Sequence, residues 1–541
     1  MASESKPAWW QAAVVYQIYP WSFMDSNGDG IGDLPGIRSR LSYLQWLGVD
    51  AIWISPIYPS PMADFGYDIS DYCNVDPRFG TLADFDDLIE DAHRLQLKVI
   101  LDFVPNHTSD QHPWFRSARR SRSDPFRDYY IWRDPRPDGG PPNNWLSEFG
   151  GSAWQWDADT GHYYYHAYLK QQPDLNFRNP KVEQALLDVL RFWLERGVDG
   201  FRLDAIHHLI KDDQFRDNPS NPQFSAGMSP HRALIREFTT DRPEVHGAIA
   251  RMRKLVDGYA ERVLIGEAWL PTNRLVMYYG VGLSGLHLPF NFQLINAQWE
   301  ARVLAALIRE YEAALPAGAW PNWVLGNHDR SRIATRVGAA QARVAATLLL
   351  TLRGTPTLYY GDELGMVDVP IPGASVRDPW EKNVPGLGLG RDPERTPMQW
   401  SKEPGAGFTS GTPWLPIAND YQTRNVEAQQ LDSNSMLSLY RALLHLRRAE
   451  PALAIGDYAE LELEPAVLSF QRRHAQTTFT VLLNFSAEAR RLVLPPELAH
   501  SALVLSTHPE RSTRTVDERF ALEANEGVIL RNYGVSDASH R

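Results

Sequence analysis

Residues 98–107 read KVILDFVPNH, a short β-branched and apolar run that ends in proline, asparagine and histidine. A run of this length and composition predicts a buried β-strand. The preceding residues, LADFDDLIEDAHRLQ (82–96), carry apolar side chains at the spacing of an amphipathic helix. A helix, a strand and then polar residues at the carboxyl end of that strand form the repeating unit of an α/β fold.

Runs of the same character recur along the chain. They are VVYQIYP (14–20), AIWISP (51–56), GFRLDAI (200–206), VLIGEA (263–268), LHLPFNF (286–292), NWVLGNH (322–328) and TPTLYY (355–360). Helical patterns lie between most of them; one carries Val182, Leu186, Val189 and Trp193 on one stripe. Eight short apolar strands, each followed by a helix, predict an α/β protein built on a (β/α)8 TIM barrel.

Two connections are much longer than an ordinary strand-to-helix loop. Residues 105–177, rich in Pro, Arg, Gly and Trp, predict a small irregular subdomain inserted after strand three. Residues 362–434 form a second long loop. The barrel is therefore predicted in residues 1–104 and 178–455. After Gly456 the runs AVLSFQRR, TFTVLLNF and RRLVLP predict an antiparallel β-domain at residues 456–541.

The composition restricts the class of protein. The chain has 541 residues, a net charge of −12 and one cysteine. The negative charge argues against a nucleic-acid or anionic-membrane partner, and one cysteine permits no internal disulfide. No apolar run approaches a membrane span and the N-terminus has no signal-like segment, so a cytoplasmic location is predicted. The 18 Trp, 22 Tyr and 21 Phe residues leave room for a carbohydrate site without proving one.

The stretch DSNGDGIGDLPG (25–36) has the spacing of a calcium loop. The candidate ligands are Asp25, Asn27, Asp29, the Ile31 carbonyl and Asp33. An EF-hand needs a bidentate Glu at the twelfth position, where this chain has Gly36, and the loop is predicted to lie between a strand and a helix. We expect a structural Ca²⁺ or Mg²⁺ here; a solvated acidic turn is the alternative.

Polar residues follow the ends of four predicted strands. They are Asp102 and His107, Arg202 and Asp204, Glu267, and His328 and Asp329. Because the carboxyl ends of barrel strands converge on one mouth, these side chains are expected to lie together. Several close carboxylates repel one another unless cations compensate or chemistry needs them. Retaining glycoside hydrolysis needs such a pair, with one carboxylate as nucleophile and one carboxyl as acid.

The motifs DFVPNH, GFRLDAI, GEAW and GNHD occur in that order, together with QIYPWSF, GYDISDY, QPDLNF and RTPMQW. In these motifs the chain resembles the α-amylase family of glycoside hydrolases, in its α-glucosidase and oligo-1,6-glucosidase branch. The resemblance implies Asp204 as nucleophile, Glu267 as general acid/base and Asp329 as a carboxylate that binds sugar hydroxyls. It also implies calcium or magnesium at the loop 25–36.

The resemblance further implies which residues line the subsite of the reacting sugar: Asp64, Tyr67, His107, Arg202, His328 and Arg395. Arg202, two residues before Asp204 on the same strand, is expected to keep that carboxylate ionised. Tyr67 could instead belong to the core, and Arg395 to the surface of the long loop. Phe149 and Tyr168, from the inserted subdomain, are expected to form part of the pocket wall.

The resemblance implies a retaining, exo-acting α-glucosidase that removes the terminal glucose of short α-glucosides and passes it to water or to an acceptor alcohol. Its partners are thus small molecules; no organic cofactor is expected, and the chain is expected to be a monomer or homodimer. An isomerase that converts maltose to trehalose, or a sucrose-acting relative, is the rival enzyme. A catalytically dead binding protein would be expected to lack one of the carboxylates.

One position bears on the linkage that is cut. Ala205 follows Asp204, at the position where enzymes of this family that cut α-1,6 bonds tend to have Val. Ala205 is expected beside the acceptor subsite, and the small residue predicts a preference for α-1,4 bonds.

Overall fold

The computed structural model describes residues 7–511 and 515–532. In chain order its strands are β1 (Val15–Ile18), β2 (Ala51–Ile54), β3 (Lys98–Phe103), β4 (Trp132–Arg133), β5 (Trp154–Asp157), β6 (His162–Tyr165), β7 (Gly200–Leu203), β8 (Val263–Gly266), β9 (Leu288–Pro289), β10 (Asn322–Val324), β11 (Thr355–Tyr359), β12 (Asp457–Glu464), β13 (Val467–His474), β14 (Thr477–Asn484), β15 (Arg490–Val493), β16 (Ala502–Ser506), β17 (Arg519–Leu522) and β18 (Gly527–Asn532).

The α-helices are α1 (Trp9–Ala12), α2 (Pro20–Phe23), α3 (Leu34–Ser39), α4 (Leu41–Leu47), α5 (Leu82–Arg94), α6 (Pro113–Ala118), α7 (Pro180–Glu195), α8 (Val245–Val256), α9 (Thr272–Leu275), α10 (Gln293–Asn296), α11 (Ala301–Ala314), α12 (Ile333–Thr351), α13 (Pro379–Asn383), α14 (Val426–Gln430), α15 (Met436–Ala449) and α16 (Pro451–Ala454). Short 3₁₀ turns occupy parts of the loops between them.

All eight predicted barrel strands are present in one parallel sheet. Their order is β10-β11-β1-β2-β3-β7-β8-β9. A parallel bridge between Asn291 and Trp323 joins the two ends of this order and closes the barrel. The predicted (β/α)8 fold is confirmed. Two runs are shorter as strands than they look in sequence: β9 has two residues, and after Ile18 the chain turns into α2, which begins at Pro20.

The barrel helices bury one apolar stripe each. In α7 the predicted stripe of Val182, Leu186, Val189 and Trp193 is buried, and Pro180 follows the capping residue Asn179. In α5 the side chain of the capping residue Thr81 accepts a hydrogen bond from the backbone of Asp84, whose carboxylate in turn accepts one from the Thr81 backbone. These stripes cover the outside of the sheet and leave the loops at its carboxyl end free to build a site.

The inserted segment contains one small sheet. Within residues 105–177, β4, β6 and β5 form a three-stranded antiparallel sheet. Its buried side includes Trp145, which stacks on Trp154 at 5.8 Å between ring centroids. Most of the segment lies outside these strands and the short helix α6, as expected of an irregular subdomain, and aromatic side chains supply a small core despite the many Pro and Gly residues.

The C-terminal strands form an antiparallel five-stranded sheet, β12-β13-β14-β18-β16, and a two-stranded sheet, β15-β17. The three strands predicted in this region correspond to β13, β14 and β15. Hydrogen bonds attach the larger sheet to the barrel helix α12: Gln341 donates to the Asn484 carbonyl, and Arg472 donates to the Thr351 carbonyl. Among the described residues, no helix combines the length and apolar character needed to cross a bilayer.

Candidate active site

Strand register brings two carboxylates together at the mouth of the barrel. In the pairing of β7 with β8, Leu203 lies opposite Gly266. The next residues, Asp204 and Glu267, therefore occupy equivalent positions on strands that are about 4.8 Å apart. The backbone N–H of Asp204 donates to the Phe103 carbonyl, which continues the ladder to β3. Both side chains are almost fully buried, at 7% and 6% exposure.

Arg202 holds these carboxylates from below. Its guanidinium donates to Asp204 and Asp102 at 2.7 Å each and to Glu267 at 2.5 Å. Asp102 lies opposite Arg202 in the pairing of β3 with β7, so the same register that aligns the strands places the third carboxylate. One buried cation thus faces three carboxyl groups, and the cluster is left with an excess of negative charge unless it binds a proton.

The pKa of the Asp204 carboxyl reflects this crowding. Burial raises the pKa well above its ordinary value, Arg202 acts in the opposite direction, and the nearby carboxyls of Glu267 and Asp102 raise it further. Burial, opposed by Arg202, also raises the pKa of Asp102, to about 6. Asp204 and Glu267 approach closely enough for a hydrogen bond between their side chains, which also raises the pKa of Asp204.

Asp329 has the opposite electrostatic environment. Arg395 donates to its carboxylate at 2.9 Å and Arg391 at 3.2 Å. Burial by itself would raise the pKa of Asp329, but His328 and the two arginines outweigh it and lower the pKa below its usual range. Asp329 is therefore an anion at neutral pH, in contrast to Asp204, whose pKa is raised.

These groups surround a small pocket that encloses about 60 Å³. Its lining residues are Asp64, Tyr67, His107, Phe149, Tyr168, Gln172, Asp204, Glu267, His328, Asp329 and Arg391. In its wall Arg391 donates to Asp64 at 2.6 Å, and both side chains are buried. Arg391 is also held by Asp378 of the same loop at 2.6 Å, and its bonds to Asp64 and Asp329 fasten the 362–434 loop to the barrel mouth.

The aromatic and histidine side chains of the pocket form a connected layer. Tyr67 stacks on His328, with ring centroids 5.4 Å apart and planes 5° apart, and its hydroxyl donates to Asp102 at 3.0 Å. Burial lowers the pKa of His107 to about 4, so this ring is neutral at pH 7 and can donate to a sugar hydroxyl without adding charge. Phe149 and Tyr168 lie in the wall, as expected from the sequence.

Two residues expected in the lining lie behind it. Arg202 is 1% exposed and Arg395 is fully buried, and neither lines the pocket. Arg202 is enclosed by the carboxylates that it binds, and Arg395 donates to the Asp329 carboxylate and, at 2.7 Å, to the His328 carbonyl. The lining arginine of the long loop is instead Arg391, four residues earlier. Sequence reasoning missed it, although RDPERTP offers both arginines as candidates.

A wider cavity of about 670 Å³ lies outside the small pocket and shares Glu267, Asp329 and Arg391 with it. On one side Trp269 stacks face to face on Phe292, with centroids 4.0 Å apart and planes 8° apart. The indole N–H of Trp269 donates to Glu267 at 2.7 Å, which fixes the carboxyl at the boundary between the two cavities.

Ala205, expected beside the acceptor subsite, does not line either cavity and is 2% exposed. It has left-handed backbone angles, with φ 45° and ψ 37°, and its N–H donates to Glu267 at 3.2 Å. A side chain at this position can therefore affect the acceptor subsite only by changing the position of Glu267.

The loop 25–36 is closed by its own side chains. The buried Asp25 carboxylate accepts hydrogen bonds from the backbone N–H groups of residues 27, 28 and 30, and Asn27 accepts one from Asp29. Asp33 caps α3 through the N–H of Gly36 at 2.6 Å. In the described part of the chain no cluster of three or more His, Cys, Asp or Glu side chains could hold a metal. The loop offers carboxylate, amide and carbonyl oxygens, which suit a hard cation.

Known proteins match the chain over most of its length. A family model of the α-amylase catalytic domain matches residues 17–456. The chain belongs to the α-amylase family. A probable α-glucosidase of Rhizobium meliloti (strain 1021) is 44% identical over 90% of this chain and 91% of its own. Maltase 1 of Drosophila virilis is 40% identical over 96% of this chain and 86% of its own. A crystal structure of the α-glucosyl transfer enzyme XgtA, 43% identical, superposes with a TM-score of 0.93 over 98% of this chain and all of that one.

Membership of this family of glycoside hydrolases makes the chain an enzyme rather than a binding protein on the same fold. The family's catalytic barrel contains the small pocket, the outer cavity and the three acidic residues Asp204, Glu267 and Asp329, all within the matched residues 17–456.

Proposed function

We propose that the protein is a retaining, exo-acting α-glucosidase that cleaves the non-reducing terminal glucose from short α-glucosides, with α-1,4 bonds preferred. The glucose passes either to water or to an acceptor alcohol. The observation that carries the proposal is the small pocket of about 60 Å³ with the buried Asp64–Arg391 ion pair in its wall and the carboxyl pair at its mouth. We infer that the terminal sugar reaches the carboxyl pair from the adjoining outer cavity of about 670 Å³, which shares Glu267 and Asp329 with the pocket and would hold the leaving group.

The spacing of Asp204 and Glu267 favours the retaining mechanism. Both carboxyl groups bind the same Arg202 guanidinium and are therefore held close together, as a double displacement requires at about 5–5.5 Å, whereas inverting enzymes leave about 6.5–9.5 Å for a water. Asp204 attacks the anomeric carbon and forms an ester as the glycosidic C–O bond breaks. Glu267 gives its proton to the leaving oxygen and later takes one from water, which hydrolyses the ester and restores both groups.

The stereochemistry of the product tests this proposal. Two displacements at the anomeric carbon keep its configuration, so the first glucose released from maltose should be the α-anomer. Proton NMR during the first minutes, before mutarotation, resolves the two anomers. A β-anomer as first product would mean that water attacks the sugar directly and that the close pair has another role.

We expect kcat/KM to be higher for maltose than for isomaltose. Ala205→Val should narrow that ratio, because a bulkier residue whose N–H contacts Glu267 shifts the acid relative to the leaving oxygen. A methyl-scale change in such a site is worth about 10–200-fold in relative rate. The measurement is kcat/KM for both disaccharides on wild type and variant.

Ala205→Gly is the matched control, since glycine adopts the left-handed conformation at φ 45° without strain. We expect it to keep the preference for maltose. Valine is disfavoured in that conformation, so Ala205→Val should also lower Tm. Because both kcat/KM values are measured on the same sample, their ratio does not depend on the fraction of enzyme that is folded. If the wild type cleaves isomaltose as well as maltose, Ala205 does not set specificity.

We also propose that the loop 25–36 binds a structural Ca²⁺ or Mg²⁺ through Asp25, Asn27, Asp29, the Ile31 carbonyl and Asp33. The proposal is supported by the spacing of these oxygen donors and by the folding of the loop around the buried Asp25. Such an ion would tie the loop to its neighbours and would take no part in the chemistry, since the polar residues of the pocket come from other segments.

Removal of this cation is expected to lower Tm and to leave activity at moderate temperature nearly unchanged. A ligand bound only by the folded state stabilises it according to its concentration and affinity. Thermal melts with EDTA and with added Ca²⁺ or Mg²⁺ measure the effect, and Asp29→Asn is a suitable variant because Asp29 is exposed. Identical melts with and without chelator, with no metal by elemental analysis, would identify the loop as a solvated acidic turn.

A further inference from the structure

The outer cavity contains two arginines that the protein itself leaves without a partner. The arginines that line it are Arg232, Arg236, Arg330 and Arg391. Arg391 binds wall carboxylates and Arg236 is ion-paired with Glu148. Throughout residues 7–511 and 515–532, neither Arg232 nor Arg330 has a carboxylate within ion-pair distance, and neither side chain donates a hydrogen bond to the protein.

Arg330 is nevertheless held in a defined position. Its guanidinium lies over the ring of Trp269, 4.7 Å from the centroid, and Trp269 is itself stacked on Phe292. The Arg330 Nε is shielded from solvent and has no hydrogen-bond partner. A buried donor of this kind costs free energy unless a ligand satisfies it. The stack therefore presents a fixed cation beside Glu267, at the entrance to the small pocket.

The charges around this position repel one another. Burial lowers the pKa of Arg330; Asp329 opposes this effect and Arg232 adds to it. Burial, together with Arg232 and Arg330, lowers the pKa of His231 to about 4, so that ring stays neutral at pH 7. The carboxylates of the same cavity are already engaged: Glu148 by Arg236 and His231, Asp329 by Arg391 and Arg395, and Glu267 by Arg202 and Trp269.

The chain as a whole has a net charge of −12, with 66 acidic residues against 54 Lys and Arg. Two guanidinium groups that line one cavity without a counterion, the exposed Arg232 and the half-buried Arg330, are therefore not the product of an excess of cations. We propose that the outer cavity binds a leaving group or acceptor that carries a carboxylate or a phosphate, which Arg232 and Arg330 contact together. This inference rests on the proposed transfer of glucose and names the chemical class of the acceptor.

The test uses three acceptors that share a three-carbon skeleton and differ in charge: glycerol, glycerate and glycerol 3-phosphate. The donor is p-nitrophenyl α-glucoside, so the release of nitrophenol reports the proposed α-glucosidase activity independently of the acceptor. The glucosylated products are separated by chromatography and quantified, and the readout is the ratio of the transfer rate to each anion over that to glycerol.

The wild type is expected to favour glycerate or glycerol 3-phosphate over glycerol, and the favoured anion identifies which source of negative charge the cavity takes. Arg232→Gln and Arg330→Gln should each lower the ratio about tenfold or more, as expected for the loss of a hydrogen bond to a charged group. Arg232→Lys should restore part of it. Arg302→Gln, an exposed arginine on α11 outside the cavity, is the matched control and should not change it.

A ratio below one in the wild type, or a ratio unchanged in both glutamine variants, would overturn the proposal. If the glucosylated enzyme reacts with water alone, the inhibition constants of the same three compounds are compared, and the same ratios are expected. Absence of nitrophenol release with the wild type would instead reject the α-glucosidase activity on which the proposal rests, so the two failures are distinguishable.

Discussion

Asp204→Asn is expected to lower kcat by at least about 10³-fold, because the amide cannot attack the anomeric carbon. Glu267→Gln should lower kcat for maltose by about 10²–10⁴-fold, since a sugar leaving group needs its proton. Both changes keep the size of the side chain. The measurements are kcat and KM for maltose and, for Glu267→Gln, for p-nitrophenyl α-glucoside, whose leaving group needs little protonation and should suffer less.

Stability distinguishes a chemical loss from a structural one. Arg202 alone faces the carboxyl groups of Asp102, Asp204 and Glu267, so removing one negative charge relieves repulsion within the cluster. The Tm of Asp204→Asn and Glu267→Gln should therefore stay near the wild-type value or rise. A variant that is inactive and also melts much earlier would not support the assignment of that residue to the chemistry.

Azide provides a sharper test of the two roles. In Glu267→Ala, azide should attack the glucosyl ester on Asp204 and yield α-glucosyl azide, while in Asp204→Ala it should attack the substrate directly and yield the β-anomer. The substrate in both cases is p-nitrophenyl α-glucoside. The same anomer from both variants, or rescue of neither with near-normal activity in one, would end the assignment of Asp204 and Glu267.

The second large effect is expected from Arg391→Gln, with a fall in kcat/KM of about 10²-fold or more. Arg391 donates to Asp64 and Asp329, both in the pocket lining, and to the buried Asp378. Without its charge these carboxylates lose a counterion and reposition, and the pKa values of Asp329 and Asp378, which Arg391 lowers, rise. Breaking a buried pair typically costs about 3–5 kcal/mol, so Tm should fall as well.

Arg391→Lys separates the two consequences. It keeps the charge but cannot reach three carboxylates with one planar group, so stability should recover more than kcat/KM does. Arg377→Gln is the matched control, since Arg377 is an exposed arginine of the same loop that forms no ion pair among the described residues. Activity of Arg391→Gln within about threefold of the wild type at 25 °C would show that the ion pair does not shape the pocket.

Much of the fold could be predicted because its information is local. Each barrel strand is a short apolar run between helical patterns, and a period of 2 or 3.6 in apolar side chains determines which face is buried. The eight runs, the stripe on α7 and three of the C-terminal strands were all readable in this way. The motifs at the strand ends also marked Asp204, Glu267 and Asp329, because parallel strands must bring their carboxyl ends to one mouth.

The arrangement of the charges could not be read in the same way, because it depends on residues far apart in sequence. Asp102 and Arg202 meet through the register of β3 with β7, and Arg391 reaches Asp64 across more than 300 positions. Arg391 and Arg395 are both arginines and lie close together in the sequence. Only the path of the 362–434 loop places Arg391 in the pocket lining and Arg395 behind it.

From the sequence alone, local periodicity and the order of the strand-end motifs determined the barrel, the family resemblance and the candidate carboxylates. The tertiary structure decided which side chains face the substrate, that Ala205 is buried against Glu267, and that Arg232 and Arg330 share a cavity without a counterion. The physical reason is the distance in sequence between interacting residues. Helices, strands and their buried faces are determined by residues that are close in sequence, whereas the partners of charged groups depend on the packing of loops that are far apart in sequence.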